Sequence, residues 1–152
     1  MTKTSNLTLT FSMAKENEFY EIKHFLKRNK TYSANRDDLI YLVRSNNVLV
    51  ATARLLSIEG SDCALWLRGL FVAEEFRHNK IASQLLEHIH SDLFINQKTD
   101  CIFAFSEVHL NHFYLQNQYQ IIEPDLLPTS LKERFTNAQQ QGKKWLCLMK
   151  PL

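Results

Sequence analysis

The chain lacks any apolar run that approaches membrane-spanning length, so it does not read as an integral membrane protein. Its opening, MTKTSNLTLTF, lacks the apolar stretch of a secretory signal, and a cytoplasmic location is expected. It also lacks a strong charge of either sign. Lys and Arg number 18 against 16 Asp and Glu, a net +2, too mild to imply a nucleic-acid partner. Cysteine is scarce: Cys63, Cys101 and Cys147 are odd in number and widely spaced, which argues against a disulfide framework and offers no metal-ligand spacing. Buried thiols in a reducing compartment are the simplest reading. His88 and His90 stand two apart in a helical pattern and do not share a face, so no metal site is expected there. No repeat, linker or low-complexity stretch divides the chain. What remains is ordinary for a globular protein, with 45% hydrophobic and 22% charged residues. At 152 residues, a single domain over residues 1–152 with a real core is expected.

Periodicity orders the chain. Residues 7–13 (LTLTFSM) alternate and read as a strand, and residues 17–29 carry Phe19, Ile22, Phe25 and Leu26 on one helical face. Residues 31–38 are polar, a loop or a short second helix. Residues 39–44 and 48–55 are strand-like and joined by Ser45, Asn46 and Asn47; asparagine tolerates left-handed backbone angles, which predicts a hairpin turn. Residues 57–62, with Gly60, turn the chain again into an apolar run over 65–72, read as a strand in which Gly69 marks a bulge. Residues 73–79 form a short charged loop in which Glu74 and Glu75 read as solvated. Ile81, Ala82, Leu85, Leu86, Ile89 and Leu93 then recur at helical spacing, and the helix ends near residue 93. Past a polar stretch over 96–100, residues 101–108 (CIFAFSEV) read as the second strand of a βαβ unit. Leu110, Phe113 and Tyr114 mark a short helix, and residues 120–123 a strand before Pro124. Ser130-Leu131-Lys132-Glu133 spells a capping box that starts a helix, Gly142 is placed to end it, and residues 145–149 are the final strand. Antiparallel strands joined to a βαβ unit make a mixed sheet, hence an α+β (mixed α/β) domain.

The stretch LWLRGLFVAEEFRHNKIASQLL, residues 65–86, is the part that carries chemistry. A loop turning directly into a helix leaves the first backbone N–H groups unpaired, and the helix dipole adds partial positive charge there. Arg77, His78 and Lys80 crowd the same turn. Such a turn suits a phosphate or pyrophosphate, although free amides at most strand–loop–helix units bind only water.

This stretch resembles the acyl-CoA-binding motif of the GNAT acetyltransferase superfamily, a strand ending L-x-V followed by R/Q-x-x-G-x-G/A and a helix. Leu70-Phe71-Val72 corresponds to the strand end, Arg77 to the first motif position and Ala82 to the last. Lys80 stands where the family usually has its first glycine, so an ammonium replaces a residue that lets backbone approach pyrophosphate closely. Tyr114-Leu115-Gln116-Asn117-Gln118-Tyr119 is similar to the family's Y-x-x-x-G-F, with Gln118 for glycine and Tyr119 for phenylalanine. Where the family often has an asparagine ahead of that tyrosine, this chain has Glu107. The element order is similar too, over residues 7–152. The resemblance implies a GNAT-like fold: a central, mostly antiparallel twisted sheet with a parallel splayed strand pair, flanked by helices. It implies acetyl-CoA as co-substrate, no metal and a small amine as acceptor, with cofactor contacts at Leu70, Phe71, Val72, Arg77, His78, Asn79, Lys80, Ile81, Ala82 and Ser83. Neither nucleic acid nor membrane is expected as a partner, and a homodimer stays open.

Acetyl transfer needs a deprotonated amine, a polarised thioester carbonyl and a proton for the leaving thiolate. Family analogy puts the polarising group at a backbone N–H beside the Gly69-Leu70 bulge. Tyr114 offers a phenol to the thiolate, but on an apolar helical face it also reads as a core residue with its hydroxyl satisfied. Many family members carry a glutamate on the central strand; this strand has Arg68 instead. Glu107 is then the candidate base, with a solvated strand-end carboxylate and a water chain to bulk as the alternatives. His109 and His112 read as caps or surface residues. Arg68, with Arg54 on an adjacent strand segment, either pairs with a carboxylate of the protein or grips one on the acceptor with its planar fork; the second case favours an amino acid over a polyamine. The expected function is an acetyl-CoA-dependent N-acetyltransferase acting on a small molecule or amino acid. The alternatives are a degenerate GNAT module binding CoA or acyl-CoA without turnover, as a sensor or interaction domain, and an interaction domain that binds no nucleotide.

Overall fold

The computed structural model describes residues 8–152; Leu7 of the expected first strand and the opening segment lie outside the described residues. Seven strands form one mixed sheet in the order β1-β2-β3-β4-β5-β7-β6. They are β1 (Leu9–Met13), β2 (Leu39–Ser45), β3 (Val48–Ile58), β4 (Ser61–Val72), β5 (Cys101–Glu107), β6 (Gln120–Ile122) and β7 (Trp145–Pro151). The helices are α1 (Phe19–Arg28), α2 (Ile81–Asn96), α3 (Asn111–Gln116) and α4 (Thr129–Gln140). Strands β1 and β2, β2 and β3, β5 and β7, and β6 and β7 pair antiparallel, while β4 and β5 pair parallel. Residues 31–38 contain turns and no helix. The chain divides into two compact units, one of residues up to 56 with 68–89, the other of residues 57–67 with 90–152.

In the first unit, β1, β2 and β3 form an antiparallel meander. Asn46 and Asn47 take φ of 52° and 70°, the two left-handed residues that a type I′ hairpin needs, and Ser45 pairs with Val48 directly across them. The asparagines were legible as the turn; Ser45 completes the strand instead of joining it. On α1, Phe19, Ile22, Phe25 and Leu26 are all buried and pack with Ile40, Leu42 and Leu49 of the sheet. Alternation along β2 sends Tyr41 the other way, where its ring meets His88 of α2 at 6.0 Å. Arg44 holds α1 to β2: its fork reaches Glu21 with both terminal nitrogens at 2.7 Å and Glu18 at 2.8 Å. Opposite Val43 and Arg44 the register slips, leaving Val50 as the extra residue of a bulge, and Val50 O accepts the Ala73 N–H at 2.8 Å.

In the second unit, β5 pairs with β7 over its whole length, Cys101 with Pro151 through Glu107 with Trp145, and β6 adds to the outer side of β7. The parallel ladder joins Ala64, Leu65 and Trp66 to Cys101, Ile102 and Phe103. Trp66, Phe135 and Trp145 surround Phe105 with ring centroids 5.5–5.7 Å away, contacts worth about 0.5–1.5 kcal/mol each beyond burial. The capping box does not form. Pro128 is the N-cap, without a side-chain cap bond, and its carbonyl takes the Lys132 N–H at 2.9 Å. The helix therefore starts two residues early and carries Ser130 inside its first turn, off the capping position. Its end is as expected: Gly142 has φ +90°, Lys143 N–H reaches Ala138 O and Gly142 N–H reaches Gln139 O, a Schellman motif.

Candidate functional site

The loop from β4 into α2 is built by side chains bonding backbone. Arg77 Nε donates to Val72 O at 2.9 Å while its guanidinium lies 5.4 Å from the Phe71 ring centre, so strand end, ring and arginine meet. Asn79 Nδ2 donates to Phe76 O at 3.1 Å and Arg77 O at 3.2 Å, and Asn79 Oδ1 is buried without a hydrogen-bond partner. Gln84 Nε2 reaches back to Lys80 O at 3.2 Å. His78 and Lys80 both take left-handed angles, φ 67° and 60°. That conformation costs a residue with a Cβ about 1–2 kcal/mol, so the loop keeps at position 80 the backbone that glycine would adopt freely. The first helical bond runs from Gln84 N–H to Lys80 O at 3.1 Å, which puts the amides of Ile81 and Ala82 ahead of the helical ladder. Arg77, His78 and Lys80 are exposed beside them. An anion at this turn meets backbone amides, the positive end of a helix dipole and the exposed charges of Arg77 and Lys80.

Upstream on the same strand, Leu70, Phe71 and Val72 are half-buried. Gly69 takes φ +63° within β4, and a Cβ built on it would stand 2.8 Å from Arg54 Nε. Arg54, read from sequence as meeting a carboxylate either of the protein or of the acceptor, is ion-paired inside the protein: Nη1 lies 3.0 Å from Asp38 Oδ2, with side-chain exposures of 9% and 7%. Arg68 is exposed on β4. Sequence alone missed Asp38, taken as a polar loop residue. A glycine inside an apolar strand was its one signal, since such a glycine marks close approach of another group.

In the second unit, Glu107 ends β5 with its carboxylate exposed, 4.0 Å from His109 Nε2. Tyr114 lies on α3, its ring edge-on to Phe113 and to Tyr119 at 5.1 and 5.4 Å. Burial pushes its phenol up to about 12, so it holds its proton throughout the neutral range. The end of α3 repeats the pattern at Lys80. Gln118, in the family's glycine position, has φ 70°, and Tyr119 N–H to Tyr114 O with Gln118 N–H to Leu115 O complete a Schellman motif. Both glycine departures thus retain glycine's backbone conformation. Tyr119 is buried, and its hydroxyl pairs with His90 at 2.9 Å. Burial, with Lys150 nearby, lowers the imidazole to about 4.

Among the described residues no cluster of His, Cys, Asp or Glu could hold a metal ion, and no helix is long and apolar enough to cross a membrane.

No curated protein matches the sequence. Solved structures do match the fold. N-acetylglutamate synthase from Neisseria gonorrhoeae, in complex with coenzyme A and N-acetyl-glutamate, superposes with a TM-score of 0.72 at 14% identity, over 95% of this chain and 35% of that one. This chain thus spans about a third of that synthase's length. A GNAT-family acetyltransferase from Staphylococcus aureus Mu50 gives 0.66 at 16% identity, over 95% and 99% of the two chains. The ribosomal-protein-S18-alanine N-acetyltransferase from Escherichia coli gives 0.67 at 13%, over 95% and 94%. At such identities the likeness is one of fold. The sequence profile of the acetyltransferase (GNAT) domain matches residues 36–121, more than half of the chain and including the 77–82 loop, and the chain belongs to the GNAT acetyltransferase family.

Proposed function

We propose that residues 1–152 form one acetyltransferase domain that moves an acetyl group from acetyl-CoA to the amine of a small molecule or amino acid. The observation that carries this reading is the left-handed turn at His78 and Lys80, which sets the amides of Ile81 and Ala82 beside Arg77 and Lys80. In this reading those groups hold the pyrophosphate, and Leu70, Phe71 and Val72 line the strand that the cofactor's arm follows. The Leu70 N–H, next to the left-handed Gly69, polarises the thioester carbonyl. As the amine attacks, the C–N bond forms and the C–S bond breaks. Tyr114, protonated at neutral pH, donates to the departing sulfur. Glu107, exposed at the end of β5, takes the amine's proton and passes it to solvent. Arg68, exposed on β4, meets the carboxylate of an amino-acid acceptor.

The second reading is a GNAT module that binds CoA without turnover. The non-glycine residues at 80 and 118 and the absence of a glutamate on β4 favour it. One pair of measurements separates the two. A thermal shift with millimolar CoA reports binding, since a ligand of the native state raises the melting temperature. Thiol release from acetyl-CoA against amino acids, polyamines, aminoglycosides and peptides reports turnover. Binding without release with any acceptor supports the module; absence of both ends the CoA reading.

A further inference from the structure

Glycine takes left-handed angles without a Cβ penalty, so which conformation it keeps inside a strand is decided by its surroundings. At Gly69 the holder is visible. Where a Cβ would stand, Arg54 Nε lies 2.8 Å away, Nη2 3.4 Å and Cζ 3.6 Å, so the flat guanidinium occupies the space of the missing side chain. The guanidinium is itself fixed. Its Nη1 donates to Asp38 Oδ2 at 3.0 Å, and the same oxygen accepts the Asn35 N–H at 3.0 Å. The Asp38 N–H closes the turn onto Asn35 O at 3.1 Å. The strand carrying Arg54 is in register with β2, Arg54 opposite Ile40. Removing a buried ion pair in favour of apolar residues of similar size is often neutral for stability, whereas removing one partner alone is strongly destabilising.

We propose that Arg54, held by Asp38, is the positioning residue that fixes the backbone at Gly69 and Leu70. It thereby aims the Leu70 N–H; its catalytic consequence rests on the reading in which that amide polarises the thioester carbonyl. The device needs arginine. A lysine ammonium is a point charge that can meet Asp38 but has no flat face to lay against Gly69.

Two variants test this, Arg54→Lys and the double replacement Arg54→Met with Asp38→Leu, which leaves no unpaired buried charge. Amide hydrogen exchange over residues 68–72, without ligand, is compared with that of β2 as an internal reference for global stability. Both variants are expected to exchange about tenfold faster or more over 68–72 relative to β2, the sign of local release. In thiol-release assays kcat is expected to fall about tenfold or more, because a misaimed donor loses much of its effect. The dissociation constant for CoA should stay within about threefold, since the pyrophosphate grip lies elsewhere. Unchanged relative exchange over 68–72 in either folded variant overturns the proposal, as does a kcat within twofold of wild type. If wild type releases no thiol with any acceptor, the functional reading fails, and the exchange measurement still decides whether Arg54 holds the strand.

Discussion

Replacing Lys80 by glycine should strengthen the fold and weaken CoA binding in one step, because the residue combines a strained backbone with a useful charge. Its φ of 60° carries a left-handed cost of about 1–2 kcal/mol. Glycine removes that cost but adds about 0.4–1 kcal/mol of unfolded-chain entropy. Taking the middle of each range, the net gain is about 0.8 kcal/mol, or roughly 2–3 °C in melting temperature at this chain length. The exposed ammonium contributes a screened contact to a phosphate, and its loss should raise the CoA dissociation constant about 2–5-fold at low salt. Lys80→Ala separates the two effects. Alanine keeps the Cβ and the strain, so stability should stay near wild type while affinity falls as it does in Lys80→Gly. Gln118→Gly is the matched control: at φ 70° it should gain similar stability and leave CoA affinity alone. Melting curves without ligand and calorimetric titrations with CoA at low and high salt supply the readings. For both position-80 variants the salt dependence should flatten. A Lys80→Gly protein that binds CoA more tightly at every salt concentration would show the side chain to be a hindrance, and a melting temperature that does not rise would refute the backbone argument.

The other expectations are more direct. Tyr114→Phe should lower kcat by roughly 10²-fold with CoA affinity nearly unchanged, as for loss of a general acid; full activity would leave the ring as packing only. Glu107→Gln should lower kcat about tenfold or more, as for loss of a general base, and unchanged turnover would assign deprotonation of the amine to water. Arg68→Met should raise the Michaelis constant for an amino-acid acceptor, and a wild type that prefers polyamines would exclude the carboxylate grip. His90 is held to about 4 in the fold, against an ordinary 6.5. As pH falls through that window the unfolded chain takes the proton first, so stability present at neutral pH is lost between about 6.5 and 4. The loss is on the order of 2–3 kcal/mol. Urea midpoints measured from pH 7 to 4 should therefore fall less steeply in His90→Gln, and equal slopes would count against burial of a neutral imidazole.

The sequence by itself determined what depends on neighbours along the chain. Hydrophobic period placed the α1 face at Phe19, Ile22, Phe25 and Leu26; the asparagine pair placed the β2–β3 turn; Gly142 placed the end of α4. The loop and helix start at 77–83 were legible for the same reason, since residues adjacent in sequence make them. Spacing could not show that Ser130 is carried past the capping position once Pro128 opens the helix. Nor could it show that Lys80 and Gln118 keep glycine's backbone angles, because a left-handed residue with a side chain is held there by the bonds that close its turn. The role of Arg54 was the least legible. From sequence it was a charge that had to find some carboxylate, and folding supplied both Asp38 and the bare face of Gly69. A buried charge takes its partner from whatever the tertiary structure brings within about 3 Å, and that distance is not written in the order of the residues.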